Sequence, residues 1–121
     1  MTIGPVPTLL IVDDSASFRA AARALLEAQA WTVVGEAPDA TGALRAVAEL
    51  EPQVVLLDVL LPDANGFDVA ETIARLPRPP RIVMCSTHAP QTFGRRLANS
   101  HAAGFLPKSE LSNAALIGIL G

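Results

Sequence analysis

Short apolar segments alternate along this chain with longer segments in which apolar residues recur every three or four positions. The short segments are rich in branched residues and predict five strands, over residues 8–12, 32–36, 53–58, 81–85 and 104–106, of which the second is expected to be more exposed than the first. The longer segments predict five helices, over 15 to about 28, from Asp39 onward, over 67 to about 76, over about 92–99, and from Ser109 onward. The fourth helix is only weakly amphipathic, and a mostly irregular loop is the alternative there.

Each of the better-defined helices has one apolar face, and two have a recognisable start. Asp39 and Ser109 are predicted N-caps, because their side-chain oxygens can accept hydrogen bonds from free backbone N–H groups. The strand–helix alternation favours a three-layer, doubly wound (βα)5 α/β sandwich with right-handed crossovers. The residues predicted to face inward are Phe18, Ala22 and Leu25 in the first helix, Ala40, Leu44, Val47 and Ala48 in the second, Phe67, Ala70 and Ile73 in the third, and Leu111, Ala115, Leu116 and Ile119 in the last.

Composition narrows the class of protein. Half of the 121 residues are apolar and 17% are charged, which suits a single domain over 1–121 and excludes a disordered chain. The first residues lack the pattern of a signal peptide, and no apolar run approaches the roughly 18 residues of a membrane-spanning helix. The single cysteine, Cys85, is expected to be buried and excludes an internal disulfide, so a cytoplasmic location is predicted.

The net charge of −3 is unevenly distributed along the chain. Residues 1–60 hold three Arg against eight Asp and Glu, whereas residues 61–121 hold five Arg and one Lys against four. The Arg95-Arg96 pair is too short for a nucleic-acid-binding stripe and predicts a solvated helix face, so no direct nucleic-acid binding is expected. Lys108 is the only lysine, and its place at a strand end indicates a chemical role.

Reactive polar groups follow four of the predicted strands. Asp13 and Asp14 follow the first strand, Asp58 ends the third, Ser86 follows the fourth and Lys108 the fifth. Because parallel strands all point the same way, these groups are expected to meet in one crevice. Three carboxylates at close range repel one another, so a hard cation such as Mg²⁺ is expected among them. Asp58 is best placed to attack a phosphoryl group, whose oxygens Lys108 and Ser86 can contact.

In these residues the chain resembles the receiver domain of two-component response regulators, over essentially its whole length. The resemblance implies a flavodoxin-like sheet with strand order 2-1-3-4-5. The segment 105–109, Phe-Leu-Pro-Lys-Ser, looks like receivers that precede LuxR- or NarL-type DNA-binding domains. The matching residues, in family order and at family-like spacing, are Asp13, Asp14, Asp58, Pro62, Gly66, Ser86, Phe105 and Lys108.

The resemblance implies a chemical role for each residue of the acidic site. Asp58 would receive a phosphoryl group from a histidine kinase or a phosphotransfer protein, with Lys108 and Ser86 assisting. Asp14 and Asp58 would ligate Mg²⁺ directly, Asp13 would act through a water, and Leu60 would offer its backbone carbonyl. Such a domain is not an enzyme beyond self-phosphorylation and self-dephosphorylation.

The resemblance also implies a switch. Ser86 and Phe105 would reshape the face formed by the fourth helix, the fifth strand and the fifth helix, which could serve a homodimer or a partner protein. A DNA-binding effector domain would be expected if the chain is a fragment of a longer regulator.

Three features depart from the family pattern. Pro107 precedes Lys108, whereas the family often has proline directly after the lysine, in a cis peptide. Thr87 stands where a small residue is common and is expected to narrow access to the site. Phe105 lacks the hydroxyl that a tyrosine would have.

His88 and His101 are predicted to be exposed loop residues, with His88 near the rim of the site.

Two other interpretations stay open at this point. A hydrolase using an aspartyl nucleophile, of haloacid-dehalogenase type, would need a second aspartate two residues after Asp58, where this chain has Leu60. A receiver-like interaction module that works without phosphorylation would be expected to lack Asp14, Asp58 or Lys108, and all three are present.

Overall fold

The computed structural model describes residues 7–121, so the prediction about the first residues lies outside it. Five parallel strands form one sheet in the order β2-β1-β3-β4-β5, which confirms the predicted fold class and strand order. The parallel pairing directs all five carboxyl ends to one edge of the sheet. The strands are β1 (Thr8–Val12), β2 (Thr32–Ala37), β3 (Val54–Asp58), β4 (Arg81–Ser86) and β5 (Gly104–Pro107).

Helices cover both faces of the sheet, and most of them begin at a capping side chain. Ser15 accepts a hydrogen bond from the Phe18 N–H, and Asp39 accepts one from the Gly42 N–H, which confirms the predicted cap of the second helix. Within residues 7–121, no helix is long and apolar enough to cross a membrane. The helices are α1 (Ala16–Ala28), α2 (Ala40–Leu50), α3 (Gly66–Ala74), α4 (Arg95–Ala98) and α5 (Asn113–Leu120).

Two apolar layers explain why the central strands are apolar at nearly every position. Leu10 and Val12 of β1 pack under α2 and α3, whereas Leu9 and Ile11 pack under α1 and α5. A strand covered on both faces needs apolar residues at both alternating sets of positions. The same requirement makes all of β3 buried, including Asp58 at its end.

Some predicted inward residues lie at the edge of the helix faces. Leu25 and Leu44 are exposed, as is Ala48, so their assignment to the core was wrong. Leu26 and Ala43 are fully buried instead. Each helix contacts the sheet along a narrow stripe, and a displacement of one residue moves a side chain about 100° around the helix axis.

The predicted start of the last helix was also wrong. Lys108–Glu110 form a short 3-10 helix, and Leu111 then has extended backbone with ψ of 121°. The helix therefore begins afresh, and Ser112, not Ser109, accepts the capping hydrogen bond from the Ala115 N–H.

The predicted helix over 92–99 is interrupted. Pro90–Phe93 form a 3-10 helix, and α4 contains only four residues. Gly94, between them, has φ of 52° and ψ of −127°, a backbone conformation that no α-helix can contain. The segment is therefore two short turns separated by a glycine.

Candidate functional site

The carboxyl edge of the sheet brings the predicted site residues together. Asp13 directly follows β1, Asp58 and Ser86 end β3 and β4, and Lys108 directly follows β5. Carboxylate oxygens of Asp13, Asp14 and Asp58 all lie within 4.8 Å of one another. One crevice thus contains the three carboxylates and the ammonium that were predicted at strand ends, and Ser86 ends the strand next to that of Asp58.

Asp13 is buried and held from several sides. Its Oδ1 accepts a hydrogen bond from the Ser15 N–H at 2.8 Å, and its Oδ2 lies 2.6 Å from the Lys108 Nζ. Oδ2 has no aligned hydrogen bond among the described residues, so this contact is chiefly ionic. Arg19 Nη1 donates to the Asp13 carbonyl oxygen at 2.6 Å, and its Nε donates to Glu36 of β2. Arg19 therefore ties the loop after β1 to the neighbouring strand.

Lys108 bridges two of the carboxylates. Its Nζ lies 3.3 Å from Asp58 Oδ2 in addition to its contact with Asp13, and 4.7 Å from the centre of the Phe18 ring. Burial alone would lower the pKa of Lys108, but the close contact with the Asp13 carboxylate and the negative charges of Asp58 and Asp13 outweigh it and raise the pKa above its usual value. The side chain is therefore a cation inside the crevice.

Asp58 is the carboxylate at the centre of the site. It is 5% exposed, and its Oδ1 accepts a hydrogen bond from the Leu60 N–H at 3.2 Å. Burial raises the pKa of Asp58 above its ordinary 3.8, and the negative charge of Asp13 adds to the rise, while the Leu60 N–H and Lys108 oppose it. The crevice holds more negative charge than its single ammonium balances.

A stability prediction follows from the raised pKa of Asp58. Because the pKa is raised, the folded state binds the Asp58 proton more tightly than the unfolded state does. The stabilising contribution of the protonated carboxyl is therefore fully present below pH 3.8 and is lost as the pH rises through the folded-state pKa. We expect Asp58→Asn to be more stable than the wild type at neutral pH in EDTA, with a smaller gain in acid. Urea unfolding followed by Trp31 fluorescence measures this, and Asp39→Asn, which keeps a capping side chain, is the control. Lower stability of Asp58→Asn at neutral pH would contradict the prediction.

The loop after Asp58 is held by backbone contacts and by one aspartate. Leu60 and Asn65 form an isolated antiparallel bridge, and the Gly66 N–H donates to the Val59 carbonyl at 2.6 Å. Asp63 accepts hydrogen bonds from the backbone N–H groups of Ala40 and Thr41 at the start of α2. No local pattern marks this contact, because 22 residues separate Asp63 from Thr41.

Ser86 lies buried at the end of β4, beside the site. Its Oγ accepts a hydrogen bond from the His88 N–H at 3.0 Å, with the His88 Nδ1 at 3.5 Å. Thr87 and His88 are exposed, and the exposure of His88 was predicted.

Burial raises the pKa of Cys85 to about 12, so this thiol is an apolar core group.

Phe105 belongs to an aromatic cluster with Phe93, in the 3-10 turn before α4, and Phe67 of α3. Its ring lies 5.8 Å from that of Phe93, which in turn lies 5.6 Å from Phe67. Arg96 lies over the Phe67 ring and pairs with Asp68 at 2.8 Å, so it is not merely solvated. The cluster connects the predicted switch aromatic to α3 and α4.

The arrangement of an acidic crevice, a buried aspartate, a lysine and a hydroxyl on this sheet matches a known family. Residues 9–119 match the model of the response regulator receiver domain. The chain belongs to that family. Receiver domains are signalling domains of two-component phosphorelays, so this chain is a response-regulator receiver domain.

Individual relatives agree with this assignment. The virulence-factor transcription regulator BvgA of Bordetella pertussis is 35% identical over 102 residues, which cover 84% of this chain and 49% of BvgA. The chemotaxis protein CheY of Thermotoga maritima is 29% identical over 100 residues, 83% of each chain. The solved receiver domain of the response regulator NarL from Mycobacterium tuberculosis is 33% identical, with a TM-score of 0.80, covering 97% of this receiver and 99% of that chain. The chain thus spans about half the length of the transcription regulators it matches.

Two residues that contact the site were not predicted to be part of it. Phe18 was predicted only as an inward residue of the first helix, and Arg19 was given no role. Both lie one turn into α1, next to the acidic pair. Their contacts with Lys108 and with the Asp13 carbonyl depend on how α1 packs on the sheet and on how far the Lys108 side chain extends across its carboxyl edge, which no local sequence pattern specifies.

Proposed function

We propose that this receiver domain accepts a phosphoryl group on Asp58 from a histidine kinase or a phosphotransfer protein. One observation carries the proposal. Asp58 is a buried carboxylate at the end of the central strand, with an ammonium 3.3 Å away and two further carboxylates within 4.8 Å. A structural ion pair would need neither the second nor the third carboxylate, whereas phosphoryl transfer to an aspartate uses the whole set.

The chemistry is a displacement at phosphorus. An oxygen of Asp58 forms the new bond to phosphorus while the bond to the donor breaks, and the bonding electrons leave with the donor. Lys108 already lies beside that carboxylate, so its positive charge can stabilise the charge that develops on the phosphoryl oxygens. The Ser86 hydroxyl, buried at the end of the next strand, is the second group proposed to contact them.

The donor set fits a magnesium ion. Three carboxylates share the crevice with one ammonium, and Asp13 Oδ2 is a buried oxygen with no aligned hydrogen bond among the described residues. We propose that Asp14 and Asp58 hold the ion directly, Asp13 through a water and Leu60 through its carbonyl oxygen. Bound there, Mg²⁺ would supply positive charge that lets the phosphoryl group approach an acidic site.

The direct test is chemical labelling of the wild-type protein. Incubation with acetyl phosphate and Mg²⁺ should add one acid-stable, base-labile phosphoryl group, detected by mass spectrometry. EDTA should abolish labelling, because the ion is part of the proposed site. Labelling that is undiminished in EDTA would contradict the magnesium requirement.

We expect Asp14→Ala to weaken magnesium binding. Removing a direct carboxylate ligand should cost at least the roughly 10- to 100-fold in affinity that loss of an outer partner of a metal ligand typically costs. Mg²⁺ titration followed by amide NMR shifts of the loops at the carboxyl edge measures this. Trp31 is a poor probe here, because it lies at the start of β2, at the opposite edge of the sheet. Glu49→Ala, an exposed acidic residue of α2, should leave the affinity unchanged; equal affinity in Asp14→Ala would remove Asp14 from the site.

We propose that phosphorylation reshapes the face formed by α4, β5 and α5. Drawing Ser86 toward the phosphoryl group would take its hydroxyl away from the His88 N–H and leave room into which Phe105 could turn. The four-residue α4 and the preceding 3-10 turn are short elements that can rearrange at low cost. This face is the proposed surface for a homodimer or a partner protein.

Beryllofluoride, a mimic of the phosphoryl group, tests the switch. We expect altered amide hydrogen exchange over residues 86–108 when it binds, with Asp58→Asn as the non-binding control. A ligand shifts a two-state equilibrium only through its different affinities for the two states, so the free domain should already populate the switched state to a minor extent. Changes confined to the loops of Asp13 and Asp58 would contradict the switch.

A cytoplasmic location, a single-domain organisation over 1–121 and an output through a DNA-binding domain or a partner stay predictions. The hydrolase interpretation loses support because Leu60, at the position where a general acid would be needed, is apolar and lies at the rim. The phosphorylation-independent module loses support because Asp14, Asp58 and Lys108 are not only present but in one crevice.

A further inference from the structure

We propose that Phe18 is a positioning residue for Lys108, and that the face of its ring holds the ammonium in the phosphoryl site. The inference rests on the proposed function, because it concerns the cation that would meet the phosphoryl oxygens. It starts from one geometric fact: the Lys108 Nζ lies 4.7 Å from the centre of the Phe18 ring, within the range of a cation–π interaction.

The ammonium is enclosed on three sides. Asp13 Oδ2 lies at 2.6 Å, Asp58 Oδ2 at 3.3 Å, and the Phe18 ring lies against the cation as well. The lysine side chain is only 15% exposed. A four-carbon stem is flexible, and an ammonium is strongly hydrated, so without a third contact the group would gain freedom by turning toward solvent. The ring opposes that movement.

An aromatic ring suits this place better than a third polar group would. When Asp58 receives a phosphoryl group, the Lys108 ammonium has to direct its protons to new oxygens. A ring attracts the cation through its quadrupole but offers no strong proton acceptor to compete with them. Phe18 can therefore hold the cation before and after transfer alike.

The backbone of Phe18 is fixed where this task requires it. Its N–H donates to Ser15 Oγ at 3.2 Å, in the capping contact that starts α1, and its side chain packs against the apolar layer shared by α1 and α5. The ring therefore has one edge in the core and one face toward the site. An aliphatic residue could fill the core volume but could not attract the ammonium.

The chain offers an unusually direct spectroscopic probe. Lys108 is the only lysine among 121 residues, so labelling with [13C]lysine gives a single set of side-chain signals. In the wild type we expect the Hε signals to be shifted upfield by the ring current of Phe18. The shift should disappear in Phe18→Leu and in Phe18→Met and persist in Phe18→Tyr, which keeps the ring.

Labelling by acetyl phosphate with Mg²⁺ supplies the functional readout. A cation–π contact of ordinary strength corresponds to about a two- to fivefold change in rate, so Phe18→Leu and Phe18→Met should be labelled about two- to fivefold more slowly. Phe18→Tyr should retain the wild-type rate. Unfolding followed by Trp31 fluorescence identifies which variants are folded. Because two variants lack the ring, the test stays valid if one of the two fails to fold.

The outcomes separate the alternatives. An unshifted lysine signal in the wild type would overturn the contact, and a lost shift with an unchanged labelling rate would overturn the positioning role. Equal slowing in the tyrosine and the aliphatic variants would assign the effect to packing and overturn the role of the ring. The shift needs no phosphoryl donor. A wild type that shows the shift but takes no label would therefore overturn the proposed function, and the positioning role with it, while leaving the contact itself established.

Discussion

Asp58→Asn is expected to abolish phosphoryl incorporation completely. The amide of asparagine has the size and shape of the carboxylate, and its oxygen can still accept the hydrogen bond from the Leu60 N–H. It is not a nucleophile toward phosphorus, however, and among residues 7–121 no other carboxylate is the last residue of a strand. Mass spectrometry after incubation with acetyl phosphate and Mg²⁺ should therefore show an unmodified protein where the wild type gains one group.

The control has to change an aspartate to asparagine without touching the crevice. Asp39→Asn does so, because Asp39 caps α2 through the Gly42 N–H and asparagine caps helices equally well. It should be labelled like the wild type. Undiminished labelling of Asp58→Asn would show that another residue accepts the phosphoryl group, and Asp13 and Asp14 have the nearest carboxylates.

Asp58→Asn is also expected to stabilise the fold in the absence of metal. The residue that the function needs at position 58 is therefore not the one that makes the fold most stable. Burial gives Asp58 a raised pKa, so the charged form that phosphoryl transfer requires is less favourable in the folded protein without metal than in the unfolded chain. A structural role alone would favour a neutral side chain at the end of β3. Retention of the charge at that cost supports a function that uses it.

The sequence predicted the sheet far better than the loops and short helices. β1 lies at Thr8–Val12, as predicted, because a strand buried on both faces must be apolar throughout and ends where the polar groups begin. The start of the last helix at Ser109 was mispredicted for a different reason, and so was the continuity of the helix over 92–99, of which only Arg95–Ala98 is α-helical. There a positive φ and a 3-10 turn decide the geometry, and neither alters the spacing of apolar residues.

The site could be predicted where topology alone positions the residues. Asp58, Ser86 and Lys108 converge because all the strands are parallel, so knowing the strand ends was sufficient. Contacts that depend on the packing of a helix could not be predicted in this way. Phe18 contacts Lys108 only because the lysine side chain extends from the end of β5 toward α1, and Asp63 contacts α2 only because the loop after β3 folds toward it.

Gly66→Ala is expected to cause the largest loss of stability among the Gly→Ala substitutions within residues 7–121. A Cβ at position 66 would lie 2.2 Å from the Asp58 carbonyl oxygen and 2.8 Å from the Val59 Cα, both of which are backbone atoms. Backbone of a buried central strand cannot move aside as a flexible side chain could. The strain should lower the free energy of unfolding by on the order of 2–3 kcal/mol, and urea unfolding monitored by Trp31 fluorescence measures it.

Gly118→Ala is the matched control for this substitution. Gly118 lies in α5, and a Cβ there would meet nothing within 4 Å, so alanine should raise stability by about 0.5–1 kcal/mol through its better helix propensity. The two variants add the same methyl group with opposite expected signs. Gly66→Ala should also be labelled more slowly than Gly118→Ala, because relief of the clash displaces the Asp58 backbone and, with it, the carboxylate beside Lys108. Equal stability of the two variants would show that the loop after β3 tolerates a side chain at position 66, and that the close approach of Gly66 to Asp58 does not hold the acceptor in place.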